Sequence, residues 1–216
     1  MLYGSQQPRR RDAQRNREAI VLAACEAMTT ERQAVGMPEI ARRAGVGQAT
    51  LYRHFPDRYA LTDAVLSFQM DRLAACLAAH REDAGGFRLV LDEILRAQIS
   101  MRPLVLLARR LEPAVRVRHQ RRIVSLLAEP LRWAQEHGHV RRDLVPNDLV
   151  LLITMVEGVV ESAADMVAAG VAARRTIDLT LDGVFRPAVT VLEDQTAAGS
   201  FPELNARPSS VTTADW

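Results

Sequence analysis

Residues 37–61 constrain the fold of this chain more than any other stretch. They read Met-Pro-Glu-Ile-Ala-Arg-Arg-Ala-Gly-Val-Gly-Gln-Ala-Thr-Leu-Tyr-Arg-His-Phe-Pro-Asp-Arg-Tyr-Ala-Leu. Ala41 is small enough to let two helices cross closely above it, and Gly45 can adopt the left-handed conformation that ends a helix and turns the chain. Leu51 then places an apolar side chain beneath the first helix. This spacing predicts a helix-turn-helix, although an ordinary helical hairpin in an all-α enzyme has the same spacing.

The residues after the turn favour the first of these two interpretations. They resemble the pattern T-x-Y-x-H-F-x-x-K-x-x-L of the TetR family of bacterial transcriptional repressors, through Thr50, Tyr52, His54, Phe55 and Leu61. Arg58 stands where the family usually has lysine, and Gly47 stands where it usually has a capping serine. Glycine can serve as a helix N-cap at a cost of only a few tenths of a kcal/mol. The detailed resemblance covers residues 12–66 and implies a DNA-binding domain followed by a helical ligand-binding domain.

Length and composition indicate one small domain joined to a larger one. The chain has 216 residues, of which 48% are apolar and 25% charged, an ordinary globular composition. No segment holds 18 consecutive apolar residues and the first seven residues lack an apolar signal core, so we predict a cytoplasmic protein without a membrane span. Cys25 and Cys76 fall on apolar helical faces, where we expect packing instead of a disulfide or metal site.

Positive charge is concentrated near the N-terminus. Residues 1–60 hold ten arginines against six acidic residues, whereas residues 61–216 hold eighteen against twenty. All 28 basic side chains are arginines, and a guanidinium group can bind phosphate through two hydrogen bonds. The charge distribution therefore favours a nucleic-acid partner for the first part of the chain.

Apolar residues recur at helical spacing nearly throughout, and alternation of period two is absent, so we predict an all-α fold of about nine helices. Residues 1–60 are predicted to form a three-helix DNA-binding domain with a basic N-terminal arm. Residues 61–186 are predicted to form a larger effector-binding and dimerisation domain. Residues 187–216 are rich in Pro, Ser, Thr, Ala and Gly and predict a poorly ordered tail. The arm contains Arg9, Arg10 and Arg11, which either enter the minor groove or add nonspecific affinity.

The predicted helices span about 12–29, 37–44, 48–54, 58–80, 87–101, a short stretch from Pro103, 114–137, 147–169 and 173–185. Pro130 lies within one of them, where we expect a kink or an interruption. Gly138 is predicted to cap the C-terminal end of the same helix, and Gly170 to end the helix that starts near residue 147.

The residues predicted to contact DNA are Arg42, Gln48, Ala49, Thr50, Tyr52, Arg53, His54 and Arg58. Gln48 can bind an adenine edge and Ala49 a thymine methyl group, because both lie early in the recognition helix. The family resemblance implies phosphate contacts for Tyr52 and His54. Arg53 can bind guanine or phosphate, and Arg42 either binds phosphate or belongs to a solvated helix face.

The second half carries the candidate effector and dimer residues. Effector candidates are Leu95, Gln98, Met101, Trp133, Glu157 and Glu161, each of which can equally be solvated or a satisfied core group. If Glu157 and Glu161 face the pocket, we expect a cationic ligand. If they face water, we expect a neutral lipophilic one. Dimer candidates are Leu151, Met155, Val159, Ser162, Ile177, Leu181 and Val184, which offer a two-fold four-helix contact unless they pack within one chain.

We therefore predict a ligand-responsive transcriptional regulator, a repressor, that binds a near-palindromic double-stranded DNA operator as a homodimer. A small molecule of unknown identity is expected to release it. The alternative is a helical interaction module or co-regulator that responds to a protein partner. We do not expect an enzyme, a cofactor or a metal site, because a glycine-rich phosphate loop, a Cys/His cluster and a G-x-S-x-G elbow are all missing from the sequence.

Overall fold

The computed structural model of the chain describes residues 6–30, 35–80, 83, 85–162 and 166–185. These residues form nine helices and no strand, which confirms the predicted all-α fold. The helices are α1 (Gln6–Thr30), α2 (Met37–Arg43), α3 (Gln48–His54), α4 (Arg58–Ala79), α5 (Gly86–Ser100), α6 (Arg102–Ala108), α7 (Pro113–Glu136), α8 (Pro146–Ser162) and α9 (Met166–Phe185). The predicted tail, residues 187–216, lies outside the described residues.

The first core is enclosed by α1, α2, α3 and the first half of α4. Its largest buried side chains are those of Ile20, Ile40, Leu51, Phe55, Leu61 and Val65. Leu104 of α6 completes this core from the other half of the chain. Gly45 has a φ of +67°, and the N–H of Val46 donates to the carbonyl of Ala41 at 3.0 Å. The turn therefore has the geometry that its glycine predicts.

The second core is formed by the end of α4 together with α5, α7, α8 and α9. Its fully buried side chains include Leu91, Leu95, Leu127, Leu131, Leu149 and Ile177. Helix α4 contributes Leu61 and Val65 to the first core and Leu77 to the second. With 22 residues, α4 is about 33 Å long. The same helix therefore connects the two cores, and the predicted domain boundary near residue 60 falls at its start.

Helix α1 begins at Gln6, six residues earlier than predicted. Pro8 lies in its first turn, where backbone N–H groups have no partner within the helix, so this proline does not prevent an early start. Arg9, Arg10 and Arg11 therefore belong to the helix, and the prediction of an arm preceding it is wrong.

Two further predictions about helix ends differ from the structure. Of the kink or interruption predicted at Pro130, the interruption is absent, because α7 continues through this residue, while Gly138, with a φ of +73°, follows its C-terminal end as predicted. Gly170 lies inside α9, so it does not end the preceding helix. Glycine inside a helix costs only about 1 kcal/mol relative to alanine, so α9 can continue through this buried position.

Substitution at the turn tests this account of the helix-turn-helix. We expect Gly45→Ala to lower the free energy of unfolding by about 1 kcal/mol, because a Cβ at positive φ approaches the carbonyl oxygen that follows it. Gly47 has an extended backbone with φ −69° and no side-chain cap. Gly47→Ser, the matched control, should raise the free energy of unfolding by a few tenths of a kcal/mol. Urea denaturation of both variants measures the two changes, and equal effects would contradict the assignment of the turn to Gly45.

Candidate nucleic-acid interface and effector cavity

Helix α3 presents a polar outer face and buries its apolar one. Gln48, Ala49, Tyr52 and Arg53 are exposed, and Thr50 and His54 are half-buried. The helix is held from beneath by Leu51 and Phe55, which are at most 1% exposed. All six predicted contact residues of α3 thus remain accessible, as a helix that enters a DNA groove requires. Which bases or phosphates they contact stays a prediction.

Arg42 is exposed on α2, but its guanidinium is already engaged. Its Nε and Nη2 donate to the two carboxylate oxygens of Glu39 at 2.7 Å, and Arg43 donates to the same carboxylate at 2.8 Å. The hydrogen bond from Arg42, followed by that from Arg43, lowers the pKa of Glu39 to about 2. A phosphate contact by Arg42 would therefore compete with an internal carboxylate.

Arg58 has a structural contact that the sequence does not indicate. Its Nη2 donates to the carbonyl oxygen of Val35, 23 residues earlier, and so ties the start of α4 to the segment that precedes α2. The side chain of Asp57 caps the same helix by accepting from the N–H of Ala60 at 2.8 Å. The guanidinium of Arg17 lies 4.6 Å from the ring centroid of Phe55. Side-chain contacts thus tie the start of α4 to the segment before α2, and α1 to the residue that follows α3.

A polar cluster joins α4 to α7. Asp63 Oδ1 accepts from Arg118 Nη2 at 2.5 Å and lies 2.6 Å from Nε2 of the buried His119. Burial favours a higher pKa for Asp63, but its hydrogen bonds with Arg118 and His119 outweigh this effect and lower it. Arg122 forms a second ion pair with Asp71 of α4. Sequence reasoning missed these residues because the partners lie more than fifty positions apart, and helical periodicity carries no signal for such a contact.

A cavity of about 390 Å³ lies between the end of α4, the start of α5 and the second half of α7. Its lining residues are Ala74, Leu77, Ala78, His80, Asp83, Gly86, Phe87, Val90, Leu126, Glu129, Pro130, Arg132 and Trp133. A Cβ on Gly86 would lie 2.6 Å from the carbonyl oxygen of His80, so only glycine allows α5 to start this close to α4. The volume suits a drug-sized molecule.

The polar groups around this cavity have partners within the protein. Arg132 donates to Glu136 at 2.9 Å, and the Asp83 carboxylate accepts from the N–H of Gly85 at 3.0 Å. The ring of Trp133 stacks on that of His137, with centroids 4.1 Å apart. Apolar walls, one indole ring and internally paired charges fit an uncharged ligand that carries a ring.

Of the six predicted effector residues, only Trp133 lines this cavity. Leu95 is buried in the second core, Gln98 donates to the carbonyl of Ile94, and Met101 packs against the first core. Glu157 is half-buried and burial raises its pKa, whereas Glu161 is exposed and pairs with Arg109. The apolar residues of α4 and α5 that form the cavity walls were not predicted, because nothing in their spacing distinguishes a cavity wall from a core.

The predicted dimer residues divide into two groups. On α8, Leu151 and Met155 are 65% and 43% exposed, Ser162 is exposed and Val159 is half-buried. On α9, by contrast, Ile177, Leu181 and Val184 are at most 4% exposed and belong to the second core. Their assignment to a dimer interface is wrong, because this face of α9 packs within the chain. The exposed large apolar residues of α9 are Val167, Val171 and Leu179, which lie outside its buried face.

Other kinds of site find little support in the described part of the chain. No group of three or more His, Cys, Asp or Glu side chains there could hold a metal ion. Both cysteines are free thiols, with Cys25 packed in the first core and Cys76 against the second. None of the described helices is long and apolar enough to cross a membrane.

Comparisons with known proteins agree with this geometry. Residues 32–65 match the model of bacterial regulatory proteins of the tetR family. A TetR transcription regulatory protein from Mycobacterium vanbaalenii is 27% identical, with 82% of this chain and 99% of that chain covered and a TM-score of 0.60. A TetR transcriptional regulator from Streptomyces coelicolor is 26% identical, with 80% and 99% covered and a TM-score of 0.60. No curated protein matches the chain.

The family match covers the helix-turn-helix, and the structural likeness extends over both cores. The chain therefore carries the helix-turn-helix of the tetR family of bacterial regulatory proteins and has the fold of TetR transcriptional regulators.

Proposed function

We propose that this regulator is a homodimeric repressor that binds a near-palindromic operator and is released by a small molecule. The observation that carries the proposal is the exposed polar face of α3, held on a core that also contains the start of α4. A single short recognition helix makes too few base contacts for specific binding. In a dimer, two recognition helices about 34 Å apart can contact base edges in successive turns of the major groove. Because its proposed target is DNA, we place the protein in the cytoplasm.

The cavity supports the ligand-responsive part of the proposal. Its walls come from α4, α5 and α7, and α4 continues from the cavity to the recognition domain. A ligand that binds one tilt of α4 more tightly than another shifts the separation of the two recognition helices. Coupling energies of about 1–3 kcal/mol are typical and would weaken operator binding from several-fold to about a hundred-fold. The internally paired rim favours an uncharged, ring-bearing effector.

The operator is the first thing to test. We expect the duplex upstream of this protein's own gene to give a sharp electrophoretic shift at about 150 mM salt that resists nonspecific competitor DNA. Tyr52, 45% exposed on α3, is predicted to contact phosphate. Tyr52→Ala should therefore abolish the shift while the dimer persists.

Leu89→Ala is the matched control, because Leu89 is similarly exposed but lies on α5. Its shift should equal that of the wild type. An intact operator complex with Tyr52→Ala would contradict the placement of the recognition helix. The same assay is repeated with duplexes selected from a random-sequence pool. If nonspecific competitor removes all binding in both experiments, the regulator proposal itself is contradicted.

The exposed apolar residues of α8 and α9 are proposed to form the dimer interface. Leu151→Glu combined with Leu179→Glu should convert the dimer into a folded monomer, because four carboxylates would be buried without partners in the two-fold contact. Sedimentation measures the mass and circular dichroism the helix content. Leu89→Glu is the control for added charge and should stay dimeric. A dimer that survives the double substitution would move the interface elsewhere.

Fluorescence tests the cavity. Trp133 lines it, and Trp216 is the second tryptophan of the chain, so Trp216→Phe isolates the signal of Trp133. We expect the uncharged dye Nile red to quench Trp133 on binding. Ala74→Phe fills the cavity and should prevent quenching, whereas the neighbouring Ala75→Phe, on an exposed position, should not. Equal quenching in both variants would show that the dye binds outside the cavity.

A further inference from the structure

The start of α4 is fixed within the DNA-binding core. Leu61 and Val65 are fully buried there, and the hydroxyl of the buried Thr62 donates to the carbonyl of Arg58 at 2.9 Å. The Arg58 side chain in turn binds the carbonyl of Val35. This part of α4 therefore moves together with α1, α2 and α3, and any change in its direction also reorients the recognition helix.

Asp63 lies on the same turn of α4 and contacts the other half of the protein. Arg118 and His119 of α7 share its Oδ1, at 2.5 Å and 2.6 Å. Further along α7, Leu127 and Leu131 are buried in the second core. The cluster of Asp63, Arg118 and His119, which we call the α4–α7 clamp, therefore joins a helix that is anchored in one core to a helix that is anchored in the other.

The clamp is better suited to fixing the angle between two helices than an exposed ion pair is. The side chain of His119 is only 9% exposed, and a hydrogen bond to a buried ring has a narrow range of geometries. By comparison, the Arg96–Asp178 pair between α5 and α9 is 3.3 Å long, with both side chains about half exposed. Exposed pairs of that kind contribute little to structure.

We propose that the α4–α7 clamp sets the half-site spacing that this regulator accepts. The inference rests on the proposed binding of a two-fold operator by a dimer. Asp63, Arg118 and His119 are positioning residues in this role, since they act through α4 and need not touch DNA. Without the clamp, α4 tilts more freely, the two recognition helices sample a wider range of separations, and operators with unsuitable spacing are penalised less.

The test measures dissociation constants for a series of operators. They carry the same two half-sites, obtained by selection from random duplexes, with the spacer lengthened or shortened by one or two base pairs. The wild type should prefer one spacing. We compare the dissociation constant for a spacing one base pair away with that for the best spacing. In Asp63→Ala and His119→Leu, the ratio of these two constants should fall about fivefold or more, a typical coupling magnitude. Affinity for an isolated half-site should not change.

Two variants separate positioning from stability. His119→Gln keeps a side-chain donor that can reach Asp63 and should restore the spacing preference that His119→Leu loses. Asp178→Asn breaks the exposed Arg96 pair of the same domain and should leave the preference unchanged. Thermal unfolding of every variant is measured in parallel.

A spacing ratio that stays constant while the melting temperature falls would overturn the inference and leave the clamp with a structural role only. The same holds if His119→Leu and His119→Gln lose the preference equally. A wild type that binds no two-half-site operator would instead remove the proposed function, and this inference with it. If Asp63→Ala does not fold, the two His119 variants decide the matter.

Discussion

Helix α4 belongs to two apolar cores at once, and the rest of the structure depends on this constraint. Its first half is buried through Leu61 and Val65 against the helix-turn-helix, and Leu77 is buried in the core of the larger domain. Neither half can be repositioned without disturbing close-packed side chains. The two domains therefore do not behave as independent bodies on a linker, and a change in direction at one end of α4 is transmitted to the other.

Local features of the fold could be predicted from the sequence because their causes are local. The turn at Gly45 and the return of Leu51 are set by residues within ten positions of each other, and the family motif lies in the same stretch. The buried face of α9 could not be predicted in this way. Ile177, Leu181 and Val184 are apolar at helical spacing, but so are Val167 and Val171, and only packing against α5 and α8 decides which face is buried.

The candidate sites likewise divide into a part that local sequence predicts and a part that depends on tertiary packing. The exposed residues of α3 follow from one helix whose buried face is evident, so their exposure could be predicted, whereas their contacts with DNA stay a prediction. The cavity forms only where α7 packs against α4 and α5, and its most constraining residue is Gly86, which must leave room for the carbonyl oxygen of His80 just beyond the end of α4. Pro130 appeared in the sequence only as a helix breaker. In the structure it lines the cavity from within an unbroken α7, so its contribution depends on a neighbour that periodicity does not reveal.

The cavity and the α4–α7 clamp lie at opposite ends of the same helix pair, and the proposed ligand response depends on both. Leu77 is fourteen residues beyond Asp63, so about 21 Å of α4 separates the cavity from the clamp. A ligand that pushes α4 and α7 apart by about 1 Å at the cavity, while the clamp holds Asp63, tilts α4 by about 3° over that length. Because the start of α4 is anchored to α1, α2 and α3, the tilt reorients the whole helix-turn-helix. In the proposed mechanism the clamp is the pivot of this motion, and its rigidity sets how much of the displacement reaches the helix-turn-helix.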